Sequence, residues 1–235
     1  MTYNLIGVGN NAKTIKGDGS EYMTAIKYMQ PYKTVFRGKV HNLCAMADKA
    51  GCAEPCLRWA GRGQMNSVQR GRERKTMLYL SDRINFMSVL FTDITVFRRR
   101  QIKNGVQPCV RLNGTSDIQY EKSGILEQFP DVQFYDYTKI VKRAYAKLPD
   151  NYHLTLSYSE ADMDYADSVY QAVLDTGVNM AVVFRDKLPD TFRGLRVIDG
   201  DKDDLRFLDP KGVVVGLVAK GKKAKQDKSG FVIDC

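Results

Sequence analysis

The sequence predicts an α/β fold, a single-domain complete or partial βα (TIM-like) barrel with an N-terminal cysteine-rich metal loop. Three observations favour it. After Gly105, short apolar runs typical of buried strands alternate with stretches of helical periodicity. Polar side chains gather where these runs end, and the carboxyl ends of parallel strands build the active sites of α/β barrels. Three of the five cysteines lie within thirteen residues in the N-terminal part.

The length of 235 residues fits one large domain. We expect an N-terminal extension with the cysteine loop over residues 1–65, the βα barrel over 66–221 and a basic tail over 222–235. No apolar run is long enough for a membrane span and no secretory signal opens the chain, so we expect a cytoplasmic protein without a membrane partner. The formal net charge of +9 is compatible with DNA or RNA as a partner.

The N-terminal segment is irregular in pattern. NLIGV predicts a short strand, and residues 21–29 predict a helical turn or two. The stretch GVGNNAKT comes close to a phosphate-binding loop, but Ala12 stands where the last glycine is needed for the backbone to wrap a phosphate. We therefore keep only Lys13 from this stretch, as a candidate phosphate contact.

The cysteine loop is the strongest chemical signal. His41, Cys44, Cys52 and Cys56 lie in HNLCAMADKAGCAEPC. Three thiolates at the mouth of a barrel could hold three irons of a [4Fe–4S] cluster. With His41 as the fourth ligand, the same group could form a closed Cys₃His zinc site. The third interpretation is that these cysteines are small buried hydrophobic residues.

Residues 66–103 carry the clearest helical signal, because apolar residues recur three or four apart. Ser81-Asp82 predicts a break into two helices, and Asn104-Gly105 predicts the end. Within RGRERK, Arg70 and Arg74 share one face by their i, i+4 spacing. They would hold phosphates of a nucleic acid or a carboxylate of a cofactor, unless they only form a solvated helix face.

Polar residues recur at the ends of the predicted strands, which are separated by helical stretches at 120–128, 138–147 and 161–176. With only two histidines in the chain, acid–base chemistry would fall to carboxylates or to a lysine. The catalytic candidates are Asp117, Asp136 and Glu160. Ser157 and Lys220, at the ends of later strands, are candidates for orienting a small-molecule cofactor.

Several long strings give the chain a family resemblance. They include NAKTIKGDG, the cysteine loop, RERKT, VRLNGTSDI, FPDVQFYDYTK, NYHLTLS, VIDGDKDDLRFLDP and VVGLVAKG. With these the chain resembles bacteriophage proteins of the gene-product-88-like family. The resemblance implies a phage origin, and hence the cytoplasm of the infected host cell, but it brings no activity with it.

A more remote resemblance is to radical S-adenosylmethionine enzymes, which are βα barrels with a three-cysteine loop. It implies that Cys44, Cys52 and Cys56 ligate a [4Fe–4S] cluster. It also implies that VRLNGTSD contacts S-adenosylmethionine through Asn113, Gly114, Thr115 and Asp117. The first functional hypothesis is therefore a phage-encoded iron–sulfur enzyme acting on nucleic acid or nucleotides. The alternative is a phage nucleic-acid-binding or host-interaction protein with a structural zinc site and no catalysis.

Overall fold

Most strands of the chain pair in parallel, as the alternating pattern predicts. The structure is a computed structural model that describes residues 5–8 and 21–235. The chain divides into two compact units. The first contains the described residues of Met1–Cys44, Met65–Asp136 and Leu148–His153. The second contains Ala45–Gln64, Tyr137–Lys147 and Leu154–Cys235. This division does not test the expected single-domain organisation, which stays a prediction.

The first unit is built on a short mixed sheet and a separate hairpin. Its strands are β1 (Ile6–Val8), β2 (Tyr22–Lys27), β3 (Lys33–Phe36), β4 (Lys39–Asn42), β5 (Gln107–Arg111) and β6 (Gln133–Thr138). In the sheet the order is β1–β2–β5–β6, with β1 antiparallel to β2 and the other pairs parallel. Strands β3 and β4 form an antiparallel hairpin that pairs with no other strand among the described residues.

The helical turns expected at residues 21–29 are wrong, because β2 occupies this segment. Its residues pair in register with β5, from Tyr22 opposite Gln107 to Ile26 opposite Arg111. The last four residues of β2 are buried. Pairing with a neighbouring strand thus decides the conformation of this segment, which is the kind of tertiary context that overrides local preference.

Two long helices of the first unit confirm the helical signal. They are α1 (Asn66–Ser81) and α2 (Arg83–Lys103), and they meet at Asp82 as predicted. The backbone N–H of Asp82 donates to the carbonyl of Leu78 at the end of α1. Its carboxylate accepts a 3.0 Å bond from the N–H of Asn85, which caps the start of α2. One aspartate therefore ends one helix and begins the next.

The second unit contains a further set of mostly parallel strands. They are β7 (Tyr152–Ser157, of which Leu154–Ser157 belong to this unit), β8 (Asn179–Phe184), β9 (Thr191–Phe192), β10 (Leu195–Asp199), β11 (Val214–Val218) and β12 (Val232–Ile233). The order is β7–β8–β11–β10–β9, with β12 also paired to β8. Only the β9–β10 pair is antiparallel among the pairings described for this unit.

The helices of the second unit are α3 (Met163–Thr176) and the short α4 (Lys222–Lys225). Helix α3 confirms the prediction for 161–176 and buries Ala166, Val169 and Val173 against the strands. The helices expected at 120–128 and 138–147 are instead short 3-10 turns. None of the helices in the described part of the chain is both long and apolar enough to cross a bilayer. The cytoplasmic location stays a prediction.

The expectation of a TIM-like barrel is wrong. Closure requires every strand to have a neighbour on both sides, and the TIM type requires all pairs to be parallel. Here β1 and β9 are antiparallel strands that each have one partner in the described residues. The sequence misleads because apolar runs mark any parallel strand covered on both faces, whether or not the sheet closes.

We predict that Asp82→Ala lowers the free energy of unfolding by about 1 kcal/mol, because the first turn of α2 loses its side-chain cap. Asp82→Asn should retain most of the stability, since asparagine caps equally well. Urea denaturation monitored by circular dichroism measures both. The neighbouring Ser81→Ala serves as control, and an equal loss in Ser81→Ala would contradict the capping role.

Candidate functional site

The outer face of α1 carries the two arginines that the sequence singled out. An open hollow of about 710 Å³ lies along this face, lined among the described residues by Ser67, Arg70, Glu73, Arg74, Met77, Leu78 and Ser81. The buried residues of the helix, Arg72, Thr76 and Tyr79, lie on the opposite side. The prediction that Arg70 and Arg74 share one face is confirmed.

Some side chains of the basic run RGRERK make internal contacts, and others are exposed to solvent. Arg72 is buried with its guanidinium 5.5 Å from the ring centre of Tyr28. The ammonium of Lys75 donates a 2.9 Å bond to the carbonyl of Leu5. In contrast, Arg70 and Arg74 are exposed, and no described carboxylate pairs with either. These two guanidinium groups are therefore available to a ligand.

Asn113 and Asp136 meet at the carboxyl ends of β5 and β6. The Asp136 carboxylate accepts bonds from the backbone N–H of Asn113 at 2.8 Å and from its side-chain amide at 3.0 Å. The hydroxyl of Tyr152 donates to the same carboxylate at 3.0 Å. The Asn113 side-chain oxygen in turn accepts from Ser116 and from the N–H of Ile118. This buried network fixes the loop after β5.

The same loop docks on the end of β2. The N–H of Gly114 donates to the carbonyl of Lys27, and the Thr115 hydroxyl donates to the carbonyl of Met29. A β-carbon at Gly114 would lie 2.6 Å from the Tyr28 ring, so any other residue there would force this ring to shift. Gly114 and Thr115 thus have packing roles, and their assignment to a cofactor stays a prediction. Asp117 is half-buried in this loop, with its N–H bonded to the Leu43 carbonyl.

A fully buried amine lies beside this network. The Lys27 ammonium contacts the Met29 sulfur at 3.1 Å and lies 4.7 Å and 5.7 Å from the ring centres of Tyr120 and Phe86. No carboxylate pairs directly with it among the residues that the structure describes. Burial lowers the pKa of Lys27 to about 7, although the negative charge of Asp136 opposes this shift. The sequence analysis missed Lys27, because it placed the segment in a helical turn.

The remaining strand-end candidates belong to the second unit. The carbonyl of Ser157 accepts a bond from the Tyr165 hydroxyl at 2.6 Å. The Glu160 carboxylate accepts from the Tyr158 hydroxyl. The Lys220 ammonium pairs with Asp201 at 2.7 Å. Each candidate is thus engaged in a local contact, and their catalytic or cofactor roles stay predictions. Lys13 lies outside the described residues.

The prediction of a metal-binding cysteine loop is wrong. Within residues 5–8 and 21–235, no group of three or more histidine, cysteine, aspartate or glutamate side chains could hold a metal ion. The [4Fe–4S] cluster with its S-adenosylmethionine and the alternative zinc site therefore lack a ligand set. None of the described cysteines forms a disulfide bond.

Local contacts explain why the expected ligands do not form a site. The Cys44 thiol donates to the Thr115 carbonyl at 3.5 Å, and His41 packs edge-on against Phe36. Cys52 packs against the hydrophobic core of the second unit. Burial raises the pKa of the Cys56 thiol, whereas a metal ligand must be a thiolate. Closeness in sequence did not become convergence in space.

We predict that Lys27→Met stabilises the protein, by roughly 2–5 kcal/mol at pH 6, because it removes a buried charge. In the folded protein the pKa is about 7, against an ordinary 10.5. Between these values the unfolded chain binds more protons, so wild-type stability rises with pH and the advantage of the variant shrinks toward pH 10. Urea titrations at several pH values measure this.

Lys103→Met, at an exposed position near the end of α2, is the control and should give no comparable pH-dependent difference. A Lys27→Met variant that is less stable than wild type at pH 6 would contradict the account. It would mean that the aromatic rings stabilise the charged amine by more than its burial costs.

Comparison with known proteins identifies a family. A family model described as Gene product 88 matches residues 4–235, which is nearly the whole chain. No curated protein and no solved structure matches. The remote resemblance to radical S-adenosylmethionine enzymes gains no support from these comparisons. The family resemblance found in the sequence is confirmed, and the chain belongs to the Gene product 88 family.

Proposed function

We propose that this protein binds nucleic acid, with the outer face of α1 holding the sugar–phosphate backbone. The observation that carries the proposal is the pair of exposed guanidinium groups, Arg70 and Arg74, one helical turn apart in the same open hollow. Neither has a carboxylate partner among the described residues. A guanidinium presents a planar fork of donors that matches two phosphate oxygens.

The shape of the hollow favours a polymer over a small anion. It extends from Ser67 to Ser81, which is about 20 Å along the helix at ~1.5 Å per residue. Met77 and Leu78 give it an apolar floor, on which a sugar ring can rest. An open trough of this length spans several phosphates of one strand, which are spaced about 3.4 Å apart along the duplex axis.

The overall charge supports the same partner. The formal net charge of +9 raises the local concentration of any polyanion and accelerates its association. Among the described residues, Glu73 is the one carboxylate that lines the hollow, and it opposes this attraction. It therefore offers a test in which removal of a charge should strengthen binding.

The iron–sulfur chemistry is not part of the proposal, because the described residues provide no ligand set for it. The Asp136 carboxylate, a former catalytic candidate, accepts at least three hydrogen bonds that fix a loop. These observations favour the binding alternative over the enzymatic one, without the zinc.

We predict that the double variant Arg70→Ala/Arg74→Ala weakens binding to a fluorescein-labelled DNA duplex in an anisotropy titration. The slope of log Kd against log salt should fall by about 2, since each lost phosphate contact removes ~0.9. Glu73→Gln should strengthen binding, because it removes the repelling charge.

The matched control is Arg99→Ala/Arg100→Ala, which removes the same charge from exposed positions on α2. It should weaken binding less and leave the salt slope close to that of wild type. If both double variants behave alike, the α1 face is not the site. If the wild-type protein fails to bind at about 50 mM salt, the proposed function is wrong.

A further inference from the structure

The β3–β4 hairpin is a freestanding ribbon in the first unit. A two-residue turn, Arg37-Gly38, joins its strands, with φ of +49° and +73°. Two positive φ values define the turn that matches the twist of a tight hairpin, and the usual residue at the first position is asparagine, aspartate or glycine. An arginine there places a β-carbon in a disfavoured conformation. Such strained positions concentrate at functional sites.

A second hairpin in the chain provides an internal comparison. Arg193-Gly194 joins β9 to β10 with φ of +50° and +78°. The Arg193 guanidinium there pairs with Asp167 at 2.6 Å and stacks over Tyr170 at 4.3 Å, so its local role is structural. Arg37 stacks only on its neighbour Phe36, at 5.2 Å, and pairs with no described carboxylate. The Arg37 side chain is therefore exposed at its turn, whereas the Arg193 side chain is held by an ion pair and a ring contact.

The two faces of the hairpin differ. Phe36 and His41 pack edge-to-face with ring centres 6.1 Å apart on the half-buried face. On the other face Val35 and Val40 lie directly opposite each other, and they are 65% and 64% exposed. The apolar pair that faces solvent is aliphatic, whereas the aromatic rings that could stack on bases are turned to the half-buried side.

Three exposed cations flank the valine pair. Lys33 lies on the valine face opposite Asn42, Arg37 lies in the turn, and Lys39 pairs with Phe36 on the other face. From residue 22 to residue 47 the sequence contains no aspartate or glutamate. This charge pattern is complementary to a polyanion and unfavourable for a basic or hydrophobic partner.

We propose that this hairpin enters the major groove of double-stranded DNA, with Val35 and Val40 against thymine methyl groups and the three cations on phosphates and base edges. The major groove of B-form DNA admits a two-stranded ribbon, and apolar side chains contact the thymine methyl there. The inference rests on the proposed nucleic-acid binding, and it adds a second surface and the type of nucleic acid.

Two other nucleic acids fit the hairpin less well. Single strands are held mainly by stacking of bases on exposed aromatic rings, which the outer face lacks. The major groove of A-form RNA is too narrow and deep for side chains to read. The geometry therefore predicts that the hairpin binds duplex DNA more tightly than single-stranded DNA or duplex RNA.

The first test compares duplexes with the full-length protein in anisotropy titrations. Replacement of thymine by uracil in both DNA strands removes the methyl groups and should weaken wild-type binding roughly fourfold for each methyl contacted. Val35→Ser/Val40→Ser removes the methyl groups of both side chains and should bind the thymine and uracil duplexes equally. Equal wild-type affinity for the two duplexes, or for duplex RNA, would overturn the inference.

The second test uses the turn. Arg37→Gly relieves the strained conformation and should leave thermal stability unchanged or raised, while weakening duplex binding. Arg193→Gly is the matched control and should leave binding unchanged. Should Arg37→Gly bind as wild type does, the hairpin does not contact DNA.

The two proposals fail in distinguishable ways. Binding that depends on Arg70 and Arg74 but not on the hairpin residues would overturn the hairpin inference and leave the proposed function standing. Binding to single strands alone would likewise overturn only the hairpin inference, whereas absence of wild-type binding to any nucleic acid at low salt would overturn both.

Discussion

The first unit depends on the buried pair formed by Asn113 and Asp136. The Asp136 carboxylate, within β6, holds both the backbone and the side chain of Asn113, two residues after the end of β5. This contact orders the next loop residues, which bond to the carbonyls of Lys27 and Met29 at the end of β2. A buried carboxylate with several donors is costly to disrupt, because loss of one partner leaves polar groups unsatisfied. The conformation of the chain leaving β2 is thereby fixed.

Both proposed binding surfaces are connected to that fixed segment. The N–H of Gln30, just before the hairpin, donates to the Thr76 hydroxyl on α1, and the Tyr28 ring lies against Arg72. Helix α1 and the β3–β4 hairpin are thus joined within one unit through a few buried contacts. Cations that point inward, such as Arg72, hold this arrangement together, and those that point outward remain available for phosphates. The division of one basic run into these two roles is a property of helical spacing.

The sequence predicted what local chemistry decides. Asp82 was identified as a helix boundary because capping depends on neighbours three residues away, and α3 was identified from its periodicity and its end at Gly177. It did not predict β2, which is set by pairing with β5. It also could not predict the environment of Lys27, whose aromatic neighbours Phe86 and Tyr120 are remote in sequence.

The cysteine loop could not be interpreted from the sequence either, because cysteines that are close in sequence form a metal site only if the fold brings their thiols together. The face shared by Arg70 and Arg74 followed correctly from i, i+4 spacing, because a helix fixes that relation by itself.

The function of that face is the central claim. Equilibrium binding of the wild-type chain to duplex DNA, measured from about 50 to 200 mM salt, tests it most directly. The account predicts binding at low salt that weakens linearly on logarithmic axes, with a slope of at least about 3 from the two α1 arginines and the hairpin cations. A slope near zero, or no binding at the lowest salt, would contradict it.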